Sequence, residues 1–179
     1  MIVSNTSPII NLACIGQLDL LPALFGTVVI PPAVFAETTV ALPDAPGAAA
    51  IRAAPWIVRQ PVANQPLVTA LRLELDPGEA EAIACALENQ AELLLIDERR
   101  GRRMAQQLGI PVVGLIGVLL MARRQQLITR LRPHLDDLRN VAGFWISTAL
   151  YDRVLRDAGE AGIALVGSHA GHSDPGGTA

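Results

Sequence analysis

At 179 residues, 51% of them hydrophobic, the chain holds enough apolar material for one buried core and is short for two, so a single domain is expected. A formal charge of −3 and a pI near 5.6 exclude a protein that draws in nucleic acid through its overall field, and any such contact must be local. All 14 basic residues are arginine, a bias that a GC-rich genome explains as readily as a demand for planar phosphate-binding forks.

Short apolar runs of strand character alternate with helical patterns along the chain. Ile2-Val3-Ser4 predicts a strand ending at Asn5, after which Ser7 and Pro8 open a helix, with Ser7 as N-cap, that Gly16 stops. Leu18, Leu20, Leu21 and Leu24 predict a short helix closed by Gly26, and Thr27 to Ile30 a buried strand terminated by Pro31-Pro32. Val34 to Thr39 then carries Glu37 on a helix near that strand's end. Residues 41–66 are rich in Ala and Pro and offer only Trp56-Ile57-Val58, as an edge strand. Leu67 to Leu75 reads as a helix, Asp76-Pro77-Gly78 as a turn with Asp76 as N-cap, and Glu79 to Glu88 as an Ala-rich helix.

Ala91 to Ile96 is the clearest buried strand, bounded by Asp97. Arg99 to Leu108 predicts a helix ended by Gly109, Pro111 to Leu115 a strand, and Val118 to Gln126 another helix. Two more helical stretches, Arg130 to Arg139 and Thr148 to Ala158, flank Gly143-Phe144-Trp145-Ile146. The alternation implies an α/β fold with a parallel sheet covered on both faces. The domain is expected over residues 1–160; the Gly, Ser, His and Pro content of 161–179 predicts a disordered extension, which removes His169 and His172 from the chemistry.

Open α/β sheets gather ligands at the carboxyl ends of their strands, and four polar or acidic stations fall at such places. They are Asn5-Thr6-Ser7 after the first strand, Glu37 after the second, Glu79 and Glu81 at the start of the Ala-rich helix, and Asp97 after the central strand. Carboxylates that converge in this way can hold a divalent cation for phosphodiester chemistry. Helical spacing puts Glu79 with Ala82, Ile83 and Ala86, and Glu81 beside Ala84 and Cys85; Glu79 is the stronger ligand candidate. Ordinary helix capping also accounts for an acid in a first turn, a solvated helix charge also accounts for Glu37, and N-capping of the next helix is an alternative for Asp97. Arg99, Arg100, Arg102 and Arg103 follow Asp97 at once, either as a phosphate-gripping patch or as a solvated helix face.

Cys14 and Cys85 have no metal-ligand spacing and fit small core positions in a reducing compartment. Met1 leads directly into a strand, and no apolar run has the length of a membrane span, so a soluble cytoplasmic protein is expected. Apolar residues between Leu12 and Leu24 and between Val118 and Leu127 are candidates for a subunit interface.

In order and spacing, Val3-Ser4-Asn5-Thr6-Ser7-Pro8, Ile30-Pro31-Pro32-Ala33-Val34 with Glu37, Gly78-Glu79-Ala80-Glu81-Ala82-Ile83, and Leu94-Leu95-Ile96-Asp97-Glu98-Arg99-Arg100 resemble PIN-domain proteins. More narrowly, they resemble the bacterial and archaeal branch described as VapC-like toxins, from Met1 to Glu160. The resemblance implies a three-layer α/β/α fold, an acidic cleft binding Mg²⁺ or Mn²⁺, and endoribonuclease activity on RNA. It also implies a homodimer held inactive by a small antitoxin. Its cleft residues fall on Asn5, Glu37, Glu79 or Glu81, and Asp97, with Thr6 or Ser7 as a supporting hydroxyl; Arg99 and Arg100 are the candidates for gripping substrate phosphates.

The chain departs from the family at Asn5, where aspartate is usual: an amide offers a carbonyl oxygen but no negative charge and no base. A PIN-like module that binds RNA or a partner protein without turnover is therefore an alternative. A nucleotide-binding α/β protein is another, against which stands the lack of a G-x-G-x-x-G turn after the first strand and of a G-x-x-x-x-G-K-S/T loop.

Overall fold

The computed structural model describes residues 1–40 and 47–160. Five short strands, β1 (Ile2–Ser4), β2 (Val28–Ile30), β3 (Ile57–Arg59), β4 (Leu93–Leu95) and β5 (Val112–Val113), form one sheet in the order β3-β2-β1-β4-β5. All four pairings are parallel, and Val3 stands opposite both Val29 and Leu94. Every residue of β2 is buried, which a strand achieves only when both sheet faces are covered. Helices supply that cover and make a three-layer α/β/α fold.

The helices are α1 (Thr6–Cys14), α2 (Leu20–Phe25), α3 (Pro32–Thr39), α4 (Ala48–Ala53), α5 (Gln65–Leu71), α6 (Pro77–Glu88), α7 (Arg99–Gln107), α8 (Leu115–Arg124), α9 (Arg132–Asn140) and α10 (Thr148–Asp157). Pro32 starts α3 where its missing N–H is no loss, and Gly26 closes α2 at a φ of 71°, a conformation that glycine adopts without strain. Leu94, Leu95 and Ile96 are fully buried at the sheet centre, and Ile83 with the alanines of α6 belongs to the same core. The alanines and Gly78 of α6 let that helix lie close to β1 and β4.

Several local expectations change. Ser7 is not an N-cap: α1 starts at Thr6 with Asn5 as its N-cap, and the Ser7 hydroxyl turns instead toward Asp97. Helix α4 lies in the Ala- and Pro-rich stretch read as irregular. Helix α8 begins at Leu115 because extended Gly114 ends the strand and the Asp97 carboxylate accepts the Leu115 N–H at 2.8 Å. Of the apolar residues expected at a subunit interface, Leu12, Leu20, Leu21, Val118 and Leu119 are buried in the core, Ile15, Leu24, Leu120 and Met121 are half-buried, and Leu127 is exposed. Cys85 is buried and Cys14 half-buried. The expected disordered extension at 161–179 lies outside the described residues, as do His169 and His172.

The last described residue fastens the C-terminal helices. Buried Glu160 accepts the Leu131 N–H at 2.6 Å and the Arg132 N–H at 3.0 Å, at the start of α9, with Arg123 3.6 Å away. Burial works to raise its pKa, but those backbone donors and the arginine outweigh it and hold the carboxyl below the ordinary glutamate value. Arg132 and Arg139 lie against the Tyr151 ring, whose hydroxyl donates to Asp136 at 2.7 Å.

Candidate active site

Strand order reverses between β1 and β4: the chain runs outward from β1 through β2 to β3, and from β4 to β5 on the other side. Such a switch point opens a crevice at the carboxyl ends of its two strands. Asn5 follows β1 and Asp97 lies two residues beyond β4, and the Asn5 N–H donates to Leu95 O at 2.9 Å, fixing the two chain segments together. Helix α6 brings its first turn, with Glu79, to the same edge. A cleft of about 180 Å³ results, lined by Asn5, Thr6, Ser7, Glu37, Asp76, Glu79 and Glu98.

The stations are not equivalent. Both Glu37 oxygens are engaged: one accepts the Gly78 N–H at 2.8 Å, the other the Thr6 hydroxyl. Asp97 accepts from Leu115 N–H through one oxygen and from the Ser7 hydroxyl, at 3.3 Å, through the other. Asn11 in turn donates to Ser7 Oγ at 3.1 Å and steadies it. Glu81 lies outside the cleft lining; its carboxylate accepts the Ala33 N–H at 2.9 Å in the first turn of α3. Glu37 of α3 thus caps α6, and Glu81 of α6 caps α3, a reciprocal exchange that locks the two helices.

Two buried oxygens stand apart. Asn5 Oδ1 and Glu79 Oε1 accept no hydrogen bond, although Asn5 is 3% and Glu79 6% exposed. The other Glu79 oxygen has only a long 3.4 Å contact with the Asp76 N–H. Burial raises the Glu79 pKa above the ordinary carboxylate value; the Asp76 N–H opposes this, and Glu98, Asp76 and Glu37 add repulsion. Burial likewise raises Asp97, against the pull of Leu115 N–H, Ser7 and Arg102.

Three glycines make room for three carboxylates. A Cβ at Gly78 would stand 2.3 Å from Glu37 Oε2, one at Gly101 2.5 Å from Glu79 Oε1, and one at Gly114 2.8 Å from Asp97 Oδ1. These glycines, with Asp76 and Glu98, belong to the cleft architecture but were not singled out as site residues from sequence. The detectable signal was Gly101, inside an otherwise arginine-rich helix where alanine would be the better helix former. Arg99 adjoins Asp97 on a second surface, with Arg102, Arg103 and Gln106, whereas Arg100 lines neither depression.

The donor set is oxygen-only, the kind that suits a hard cation such as Mg²⁺ or Mn²⁺, and two of its buried oxygens lack any partner. Among the described residues, no group of three or more His, Cys, Asp or Glu side chains is arranged to hold a metal ion. No helix among them is long and apolar enough to cross a membrane.

The family model described as DUF3368, PIN domain, covers residues 1–160, while no curated protein and no solved structure matches. The chain, with its parallel sheet and its polar cleft at the β1–β4 switch point, belongs to this family of PIN domains.

Proposed function

We propose that this PIN domain is a metal-dependent endoribonuclease, with the cleft at the β1–β4 switch point as its active site. The observation that carries the reading is the pair of buried, unpartnered oxygens on Asn5 and Glu79, two residues that line a cleft rich in carboxylates whose charges repel one another. A cation among them would relieve both the desolvation and the repulsion.

Asn5 and Glu79 are the residues to hold Mg²⁺ or Mn²⁺ directly, with Asp97 as the third ligand and Glu37 acting through water or by orienting Thr6. When bound, the metal supplies charge neutralisation at the phosphate and a lowered pKa for an attacking water. The chain's own contribution is a fixed set of donors: Thr6 and Ser7 hold the Glu37 and Asp97 carboxylates in place, and Asn11 holds Ser7. Arg99 offers charge to substrate phosphates at the edge of the site. The resemblance to VapC-like proteins extends the proposal to a cytoplasmic, homodimeric toxin restrained by a small antitoxin; co-purification with the product of an adjoining reading frame tests that setting.

A second reading rests on the amide at Asn5 and on the lack of a three-carboxylate metal group among the described residues: a PIN fold kept for binding RNA or a protein without turnover. Titration of Mg²⁺ and Mn²⁺ with a mixed RNA substrate separates the two. Metal-dependent cleavage by the wild type that vanishes in Asp97→Ala supports the nuclease. Silence of the wild type with activity gained in Asn5→Asp supports the binding module, and unchanged cleavage by Asp97→Ala removes this site from the reaction.

A further inference from the structure

Helix α7 carries four arginines and no acid, in a protein whose net charge is negative. The fold divides them. Arg99, Arg102, Arg103 and Gln106 recur at spacings of three and four residues, so they share one face, and with Asp97 they line an open groove of about 420 Å³. Arg100 falls on another face and is absent from that lining. Arg99, Arg103 and Gln106 are exposed, and among the described residues no side-chain hydrogen bond or ion pair engages them.

Arg102 gives the groove a fixed wall. One of its nitrogens donates to Ile96 O at 2.9 Å, and the missing side chain of Gly114 lets the guanidinium lie beside Asp97, since a Cβ there would be 2.9 Å from Nη1. A guanidinium has five N–H donors, so anchoring one leaves a preset fork for another acceptor. Asp97 also connects the two depressions. It lines the groove, and it accepts a hydrogen bond from Ser7, which lines the cleft.

We infer that this groove binds the phosphodiester backbone of an RNA strand, so that a strand with its scissile phosphate in the cleft runs past Asp97 and along Arg99, Arg102 and Arg103. The inference rests on the nuclease reading and adds to it a direction for the substrate and a residue set. Arg100, adjacent in sequence, is outside the track. An extended polyanion fits an open channel of cations, one anchored at Arg102 and two exposed at Arg99 and Arg103, beside a cleft of carboxylates; the acids alone would repel it.

The test measures binding in EDTA, where turnover does not interfere, by fluorescence anisotropy of a labelled single-stranded oligouridine across a salt series. The proteins compared are the full-length wild type, Arg99→Gln/Arg103→Gln and Arg100→Gln, with thermal melts to confirm that each folds. Removing two phosphate contacts should weaken binding about tenfold or more and flatten the slope of log K against log salt by about 1.4, at about 0.7 per single-strand contact. Arg100→Gln should stay within about twofold of wild type, well under the single-contact effect. Equal loss in Arg100→Gln, an unchanged slope in the double variant, or no RNA binding by the wild type overturns the groove. Groove-dependent binding by a protein that never cleaves at any Mg²⁺ or Mn²⁺ concentration overturns the nuclease reading alone.

Discussion

Gly101→Ala sets helix propensity against packing beside the candidate active site, and the magnitudes predict which prevails. In an open helix the change would gain about 1 kcal/mol. Here the new Cβ would stand 2.5 Å from both Glu79 Oε1 and Ile96 Cδ1, and Ile96 is fully buried. Carbon atoms pack best at about 3.5–4.0 Å, so Ile96 would have to retreat by about 1 Å into a filled core. Overpacking of this kind costs about 1–3 kcal/mol, leaving a net loss of roughly 0–2 kcal/mol instead of a gain. The Glu79 carboxylate, only 6% exposed, cannot swing freely into water and must shift as well. If Glu79 is the metal ligand proposed above, a displacement near 1 Å should lower cleavage about 100-fold. Urea denaturation and single-turnover RNA cleavage read the two effects, and combining the change with Glu79→Ala should recover part of the stability. A variant stabilised by the full helix-propensity gain, with cleavage intact, would refute the claim that Gly101 exists to seat Glu79.

Three further predictions separate structural acids from chemical ones. Glu81→Gln keeps an acceptor for the Ala33 N–H and should retain most cleavage, whereas Glu81→Ala should cost about 1–2 kcal/mol of stability through the lost cap; abolished metal binding in Glu81→Gln would restore Glu81 as a ligand. Glu160→Ala strips the acceptor from the buried Leu131 N–H and should cost about 1–3 kcal/mol at neutral pH, measured by denaturant melts. Because the folded pKa of Glu160 lies below its unfolded one, its contribution is full above the ordinary glutamate value and is lost as pH falls through the folded value. Wild type and variant should therefore converge in stability on acidification, and a gap that persists below that range would contradict the carboxylate's role. Asn5→Asp should tighten Mn²⁺ binding, seen by calorimetry, while lowering the melting temperature in EDTA, since it adds a buried charge to a cleft whose carboxyls already repel.

The elements with local signals were the legible ones. Val28–Ile30 between Gly26 and Pro31, the Asp76-Pro77-Gly78 entry to α6, and the arginine helix ending before Gly109 all carry their start and stop signals within a few residues. What escaped depended on distant partners. Ser7 looks like an N-cap until Asp97, 90 residues later, is seen to take its hydroxyl. Asp97 looks like a cap for α7, whose N-cap is Glu98, but serves α8 instead, which moves the start of that helix forward to Leu115. Helix α4 was masked by the alanines and prolines around it, where composition carries no periodicity. Asn5 and Asp97 stand out in the sequence because strand ends are marked by abrupt loss of hydrophobicity; the division of labour among the acids does not, because a sequence does not say which N–H a carboxylate will meet.

That division bears directly on the Asn5 departure. The α3–α6 exchange occupies Glu37 and Glu81 with Gly78 and Ala33 amides, and Asp97 is tied to Leu115 and Ser7. Acids that look interchangeable in the sequence therefore serve first as tertiary caps and anchors, and they hold α1, α3, α6 and α8 around the switch point. The oxygens left without partners are on Glu79 and on the neutral Asn5. An aspartate at position 5 would add a second unpartnered charge next to a carboxyl already raised by burial and by three acidic neighbours, which the apo fold would have to carry whenever no cation is bound. An amide keeps an unpartnered oxygen at a cleft-lining position without that repulsion. In the proposed nuclease the amide would weaken the grip on a cation, and substrate phosphates and the α7 arginines would supply more of what assembles the reacting complex.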